Sequence, residues 1–171
     1  NAHKINHGEL PDLSVKSSDF FFLRRKTPQD SAFTVMDLFK NRLPKSYNVN
    51  PISSIQVLSP TKKGLAGTIA LNKLLQSHIN PYDERRPQHV FGNITFRVGD
   101  KVMQTKNTDS AKNGDTGYII DICLGNDENG EFTTLVKIEF NGDGNIIDYT
   151  KDDMNNIVHA YASTIHKSQG S

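Results

Sequence analysis

The chain has 171 residues, 20 Lys and Arg against 19 Asp and Glu, and 35% hydrophobic residues. That is enough for one ordinary domain, or for a domain carrying a small insert, and too little for a large multidomain enzyme. The longest apolar runs, Phe20 to Leu23 and Tyr118 to Leu124, fall far short of the ~20 residues of a membrane span, and no basic-then-apolar leader stands at the start, so a cytoplasmic chain with no membrane partner is expected.

The near-neutral total hides a split. Residues 1–91 hold 13 Lys and Arg against 7 Asp and Glu, and residues 92–156 hold 6 against 12. Two units with different surfaces are expected, residues 1–91 with 157–171 forming one and residues 92–156 the other. In the first unit, Asp19 to Leu23 reads as a buried strand followed by the basic turn Arg24-Arg25-Lys26. Thr27 then stands as the N-cap of a helix, with Pro28 at its first position and Asp30 in capping-box position. Ala32, Val35, Met36, Phe39 and Leu43 recur at helical spacing as a core stripe, and Pro44 is expected to stop the helix. Ser54 to Leu58 reads as a second strand, leading through Ser59-Pro60-Thr61-Lys62-Lys63-Gly64 into a helix opened by Gly67-Thr68 and closed by Asn80-Pro81. Strand, polar loop and helix in alternation predict an α/β fold with an open parallel sheet, whose ligands gather at the carboxyl ends of the strands.

From residue 92 the pattern changes. Ile94 to Arg97, Lys101 to Thr105, Gly117 to Leu124, Thr133 to Phe140 and Ile146 to Thr150 are short β-rich runs separated by Gly, Asn and Asp turn signals. Five short strands in this space predict a small antiparallel barrel of SH3-like or OB-like size. Ile157 to Ala162 is apolar again and returns to the first pattern, which makes the barrel an insert.

Two strand-end loops carry chemistry. In Ser59 to Gly64, hydroxyls and two ammonium groups converge where a helix begins. Free N–H groups and the helix dipole there favour an anion by ~0.3 to 1 kcal/mol, and lysines add phosphate contacts. The same composition also suits a solvated turn with two exposed lysines. The second loop, Ser163-Thr164-Ile165-His166-Lys167-Ser168-Gln169-Gly170-Ser171, packs hydroxyls, an imidazole, a lysine and an amide around one apolar residue, the donor-rich arrangement that a sugar-phosphate backbone requires. Elsewhere the signals are thin. His3 and His7 are four apart with no third ligand, so no metal site is expected. His78, His89 and His159 lack sequence companions, and Cys123, between Ile122 and Leu124, reads as a small apolar side chain.

Read in order, several segments resemble the RecD/TraA type of superfamily 1 DNA helicases. They are Asn1 to Pro11, Asp19-Phe20-Phe21-Phe22, Val57 to Gly64 with Gly67-Thr68 and Leu71-Asn72, Phe96 to Asn107, Asn113 to Gly117, and Ala160 to Ser171, the last resembling motif V. The resemblance implies part of a RecA-like (P-loop NTPase-like) second motor domain with an inserted SH3-like β-barrel, from an ATP-dependent helicase moving 5′ to 3′ in recombination or repair. Carried over by motif, Thr61, Lys62, Lys63, Thr164, His166, Lys167 and Ser168 would meet single-stranded DNA. Gln169 and Gly170 would lie toward the nucleotide cleft, and Lys101, Gln104 and Asn107 would belong to a flap over the DNA.

The departures matter as much. No Gly-x-x-x-x-Gly-Lys-Ser/Thr occurs, so nothing here cradles the β- and γ-phosphates or holds Mg²⁺. ATP and Mg²⁺ are therefore expected of the full-length protein, together with a missing N-terminal motor domain, and the fragment carries no catalytic residue. The alternatives are a stand-alone module that binds nucleic acid or peptide, and a conjugative relaxase-helicase. An insert with twice as many acids as bases is a poor general polyanion binder. Either Arg97, Lys101 and Lys106 share one face, or the barrel acts as a steric pin or protein contact.

Overall fold

The computed structural model describes residues 2–14, 20–140, 142, 144–165 and 167. The chain opens with a short helix, α1 (Ala2–Asn6). Residues 20–25 form no strand, and Phe21, Phe22 and Leu23 are exposed, so the described part of the run expected from Asp19 to Leu23 is not a buried strand. The next helix is α2 (Pro28–Asp37), where Thr27 Oγ1 accepts the Asp30 N–H at 3.0 Å. It does not stop at Pro44. Residues Leu38–Arg42 widen into a π-helical turn in which the Leu43 N–H reaches Leu38 O, and α3 (Leu43–Tyr47) continues through the proline. The wider turn accommodates a residue that has no N–H to give and whose ring crowds the preceding turn.

After Asn48, in the left-handed region at φ 51°, Asn50 Oδ1 caps α4 (Pro51–Ser54) by accepting from Ile52 and Ser53. The strand expected from residue 54 is therefore helical at its start, and β1 is only Val57–Ser59. The helix α5 (Thr68–Ile79) follows, burying Leu71, Leu75 and Gln76. Then come β2 (Gln88–Phe91) and β3 (Ile94–Arg97), paired as a hairpin, and β4 (Lys101–Gln104), β5 (Thr116–Asn126), β6 (Phe132–Phe140) and β7 (Asn145–Tyr149). The chain closes with β8 (Ile157–His159) and β9 (Ala162–Thr164).

The strands β7-β6-β5-β4-β8 form one antiparallel sheet in that order. It is open, with β7 and β8 at its edges, so the expected closed barrel is an open sheet accompanied by the β2–β3 hairpin. β8, expected in the first unit, pairs with β4 in this sheet. The crossing back comes at Ala160-Tyr161, after which β9 runs parallel to β1. Among the described residues this pair is the whole parallel sheet.

Two cores follow. Phe96, Val102, Ile119, Ile138, Phe140 and Ile157 are buried in the sheet unit, and Ala32, Phe39, Leu71, Leu75, Tyr161 and Ala162 pack the helices on β9. No described helix is long and apolar enough to cross a membrane.

Candidate nucleic-acid interface

Parallel pairing in register, Val57 with Ala162 and Ser59 with Thr164, brings the loops after β1 and β9 side by side at one sheet end. Thr61, Lys62 and Lys63 are exposed there, and Thr164 and Lys167 are half-buried beside them. Burial first, and then the charge of Lys62, pushes the Lys167 ammonium below the usual lysine range. Among the described residues no carboxylate pairs with either lysine. Converging cations without a counter-charge are relieved by an anion seated between them.

The loop is rigid for a local reason. Ser59 Oγ donates to Ala66 O at 2.9 Å, and Thr61 Oγ1 donates to Lys63 O at 3.2 Å. Gly67 packs so tightly that a Cβ there would sit 2.4 Å from Lys63 O. One expectation changes as a result. The Thr68 and Ile69 N–H groups at the start of α5 donate to Thr61 O and Lys62 O at 3.0 and 3.2 Å. The loop's own carbonyls thus occupy these helix donors, and what remains for an anion is the lysine side chains.

The other expected contacts divide. Asn107 is exposed, its Oδ1 accepting the Asn113 N–H at 2.8 Å. Lys101 and Gln104 are not surface groups, because β4 is an inner strand covered by β5 and β8 and all four of its residues are buried. Lys101 Nζ donates to Gln56 Oε1 at 3.2 Å, and burial pushes its ammonium below the usual range. Gln104 Oε1 accepts the Tyr149 hydroxyl at 3.0 Å, while its Nε2 has no partner among the described residues. Arg97 and Lys101 therefore do not form a common exposed face with Lys106, which is itself exposed. His166, Ser168, Gln169 and Gly170 lie outside the described residues.

Sequence reasoning missed the polar centre that ties the two units together. The Asp100 carboxylate is fully buried. Its Oδ1 accepts from Asn80 Nδ2 and the Tyr161 hydroxyl, each at 2.8 Å. Its Oδ2 accepts from Gln76 Nε2 at 2.6 Å, the Arg97 N–H at 2.8 Å and His159 Nε2 at 3.0 Å. Burial alone would raise the Asp100 pKa, but His159, Asn80 and the Arg97 N–H outweigh it and hold the carboxyl below its usual range. Burial and the same carboxylate push the Tyr161 phenol upward. The only signal in the sequence was a charged residue among the apolar Val98, Val102 and Met103, and His159, which lacked a companion there, finds one in Asp100.

Beside this centre, a cleft of ≈ 510 Å³ opens between α5 and the β2–β3 hairpin and reaches Lys62 and Lys167 at the rim. Asn72 holds its edge, exchanging two hydrogen bonds with the backbone of Ala162 at 2.8 and 2.9 Å.

Residues 71–140 match the family described as the ATP-dependent RecD-like DNA helicase SH3 domain. The "ATP-dependent RecD2 DNA helicase" of Deinococcus radiodurans is 30% identical over 172 aligned positions, covering 99% of this chain and 21% of that protein. Residues 71–140 thus carry the match to the RecD-like helicases, and the chain as a whole is similar to a segment of that relative. It spans about a fifth of the curated relative it matches. The crystal structure of Pif1 helicase from Candida albicans aligns over 88% of this chain and 48% of its own at 16% identity, with a TM-score of 0.42. The RecD-like SH3 match begins inside α5 at Leu71, so it takes in Gln76 of that helix and Asn80 at its C-cap as well as Asp100 itself.

Proposed function

We propose that this RecD-like segment grips single-stranded DNA for an ATP-dependent helicase that moves 5′ to 3′ in recombination or repair. Thr61, Lys62 and Lys63 from the loop after β1, with Thr164 at the end of β9 and Lys167 beyond it, contact the sugar-phosphate backbone. His166 and Ser168 extend that contact, Asn107 approaches from the sheet unit, and Gln169 and Gly170 face the nucleotide. The motor domain that completes the ATP cleft lies elsewhere in the protein. In this reading ATP and Mg²⁺ belong to the whole protein, since the sequence given has no phosphate-cradling Gly-x-x-x-x-Gly-Lys-Ser/Thr loop.

The observation that carries this reading is the register of β1 with β9, which sets two loops from distant parts of the sequence on one rim with unpaired cations facing each other. Each phosphate contact displaces a condensed counterion, so binding weakens as salt rises, with a slope of about −0.7 per contact on a single strand. The test is fluorescence anisotropy with labelled oligothymidylate across a salt series. The triple variant Lys62→Ala, Lys63→Ala, Lys167→Ala is expected to bind more weakly and to flatten the slope by about two. An unchanged isotherm would reject the rim as the DNA contact.

A further inference from the structure

The cleft behind the rim has a different character from the rim itself. Lys62 and Lys167 stand at its mouth, Ile69 of α5 and Ile94 of the hairpin line its sides, and Met103 and Val158 line it further in. No Asp or Glu lines it among the described residues. Its volume falls within the ~300 to 1,000 Å³ typical of sites that enclose a small organic group. Ile69 is 67% exposed at the start of a helix, an aliphatic side chain left in water at the edge of an otherwise sheltered space.

Three polar side chains of the lining are already committed. Asn72 is spent on His159 and Ala162, Gln76 on Thr95 and Asp100, and the Arg97 guanidinium on Asn80 O and Gln88 Oε1. A cavity with aliphatic sides, engaged amides at Asn72 and Gln76, and the ammonium groups of Lys62, Lys73 and Lys167 in its lining suits a flat heterocycle that trails a phosphate.

We propose that this cleft seats one nucleobase of the bound strand, turned out of its stack, while Lys62 and Lys167 hold the adjoining phosphates. The inference rests on the single-strand reading of the rim and adds a base-binding subsite to it. Because Asn72, Gln76 and the Arg97 guanidinium are committed to protein partners, the base is held chiefly by apolar contact, and Asn93 at the hairpin turn is the amide left to meet its edge.

The test compares oligothymidylate with a strand of the same length made of abasic units, each titrated against the chain by anisotropy over a salt series. The wild-type chain is expected to favour the base-bearing strand by about tenfold, the scale of one sheltered base. Ile69→Ser, at an exposed position that leaves the core untouched, should reduce that preference to less than about threefold and keep the salt slope. A strand carrying 2-aminopurine should brighten on binding to wild type as its base leaves the stack, and should not brighten with Ile69→Ser. Equal affinity for the two strands with an intact salt slope would overturn the seat and leave the rim standing. A preference that survives both Ile69→Ser and Ile94→Ser would place the base contact elsewhere and likewise overturn it. Loss of salt-dependent binding to either strand in the wild-type chain would remove the rim, and the seat with it.

Discussion

The Tyr161 hydroxyl donates to Oδ1 of Asp100 at 2.8 Å, fastening the residue that leads into β9 to the residue that leads into β4. Gln76 of α5 and Asn80 just after it reach the same carboxylate, and His159 reaches it from β8. One buried anion therefore joins the helical core to the sheet core, and the cleft, lined by Gln76, Arg97 and His159, is built against this joint.

Asp100→Asn should destabilise the chain by about 3 kcal/mol or more, because it sets an amide against donors that need an acceptor. The pH dependence has a definite sign. A carboxyl held below its usual value stabilises the fold above the unfolded carboxylate pKa, about 3.9, and that contribution is lost as the pH falls through the lowered value. Urea midpoints measured from pH 7 down to pH 2 should fall less steeply for Asp100→Asn than for the wild type.

Lys101→Met should have the opposite effect. A buried ammonium with one amide partner opposes its own charge, and removing it should stabilise by about 1 kcal/mol. In the wild type, stability should rise as alkaline pH discharges this lysine below its ordinary value of 10.5, and the variant should lack that rise. Single-strand affinity should be unchanged, since the side chain does not reach the surface. A loss of binding in a folded variant would restore Lys101 to the interface.

Gly67→Ala should loosen the lysine loop. The new Cβ would meet Lys63 O at 2.4 Å and Lys62 O at 2.6 Å, both backbone atoms that move only if the loop moves. The expected cost is about 1 to 3 kcal/mol, with weaker oligothymidylate binding although no charge is removed. Thermal melting and anisotropy on the same preparation measure the two effects.

The chain alone should release no phosphate from ATP, with or without single-stranded DNA, because it lacks the loop that would cradle the transferring group. A coupled phosphate-release assay showing turnover abolished by Lys62→Ala would contradict that.

Much of the sheet unit was legible because its turn residues fall between alternating strands. Gly99 and Gly114 take positive φ at the turns that flank β4, and β5, β6 and β7 lie within a residue or two of their apolar runs. The adjacency of the two donor-rich loops was legible as well, since parallel α/β pairing gathers strand ends. What a sequence does not display is which strand becomes interior. Lys101 and Gln104 carry surface chemistry, yet β4 lies between β5 and β8, and they are buried by neighbours distant in the chain. Pro44 misled for a local reason, the π-helical turn ahead of it, and Ile157 to Ala162 misled because a single apolar run serves two sheets in succession.

The carboxylate joint also limits how the SH3 domain can move. A hinge swings by degrees, but the Arg97 N–H and His159 travel with Asp100 in the sheet unit, so the three donors from the other side, Gln76, Asn80 and Tyr161, must let go of one dry anion for the seam to open, and an intermediate angle would leave charge facing unfilled space. The seam therefore behaves as a latch between the sheet and α5, shut while dry and free once water reaches the anion.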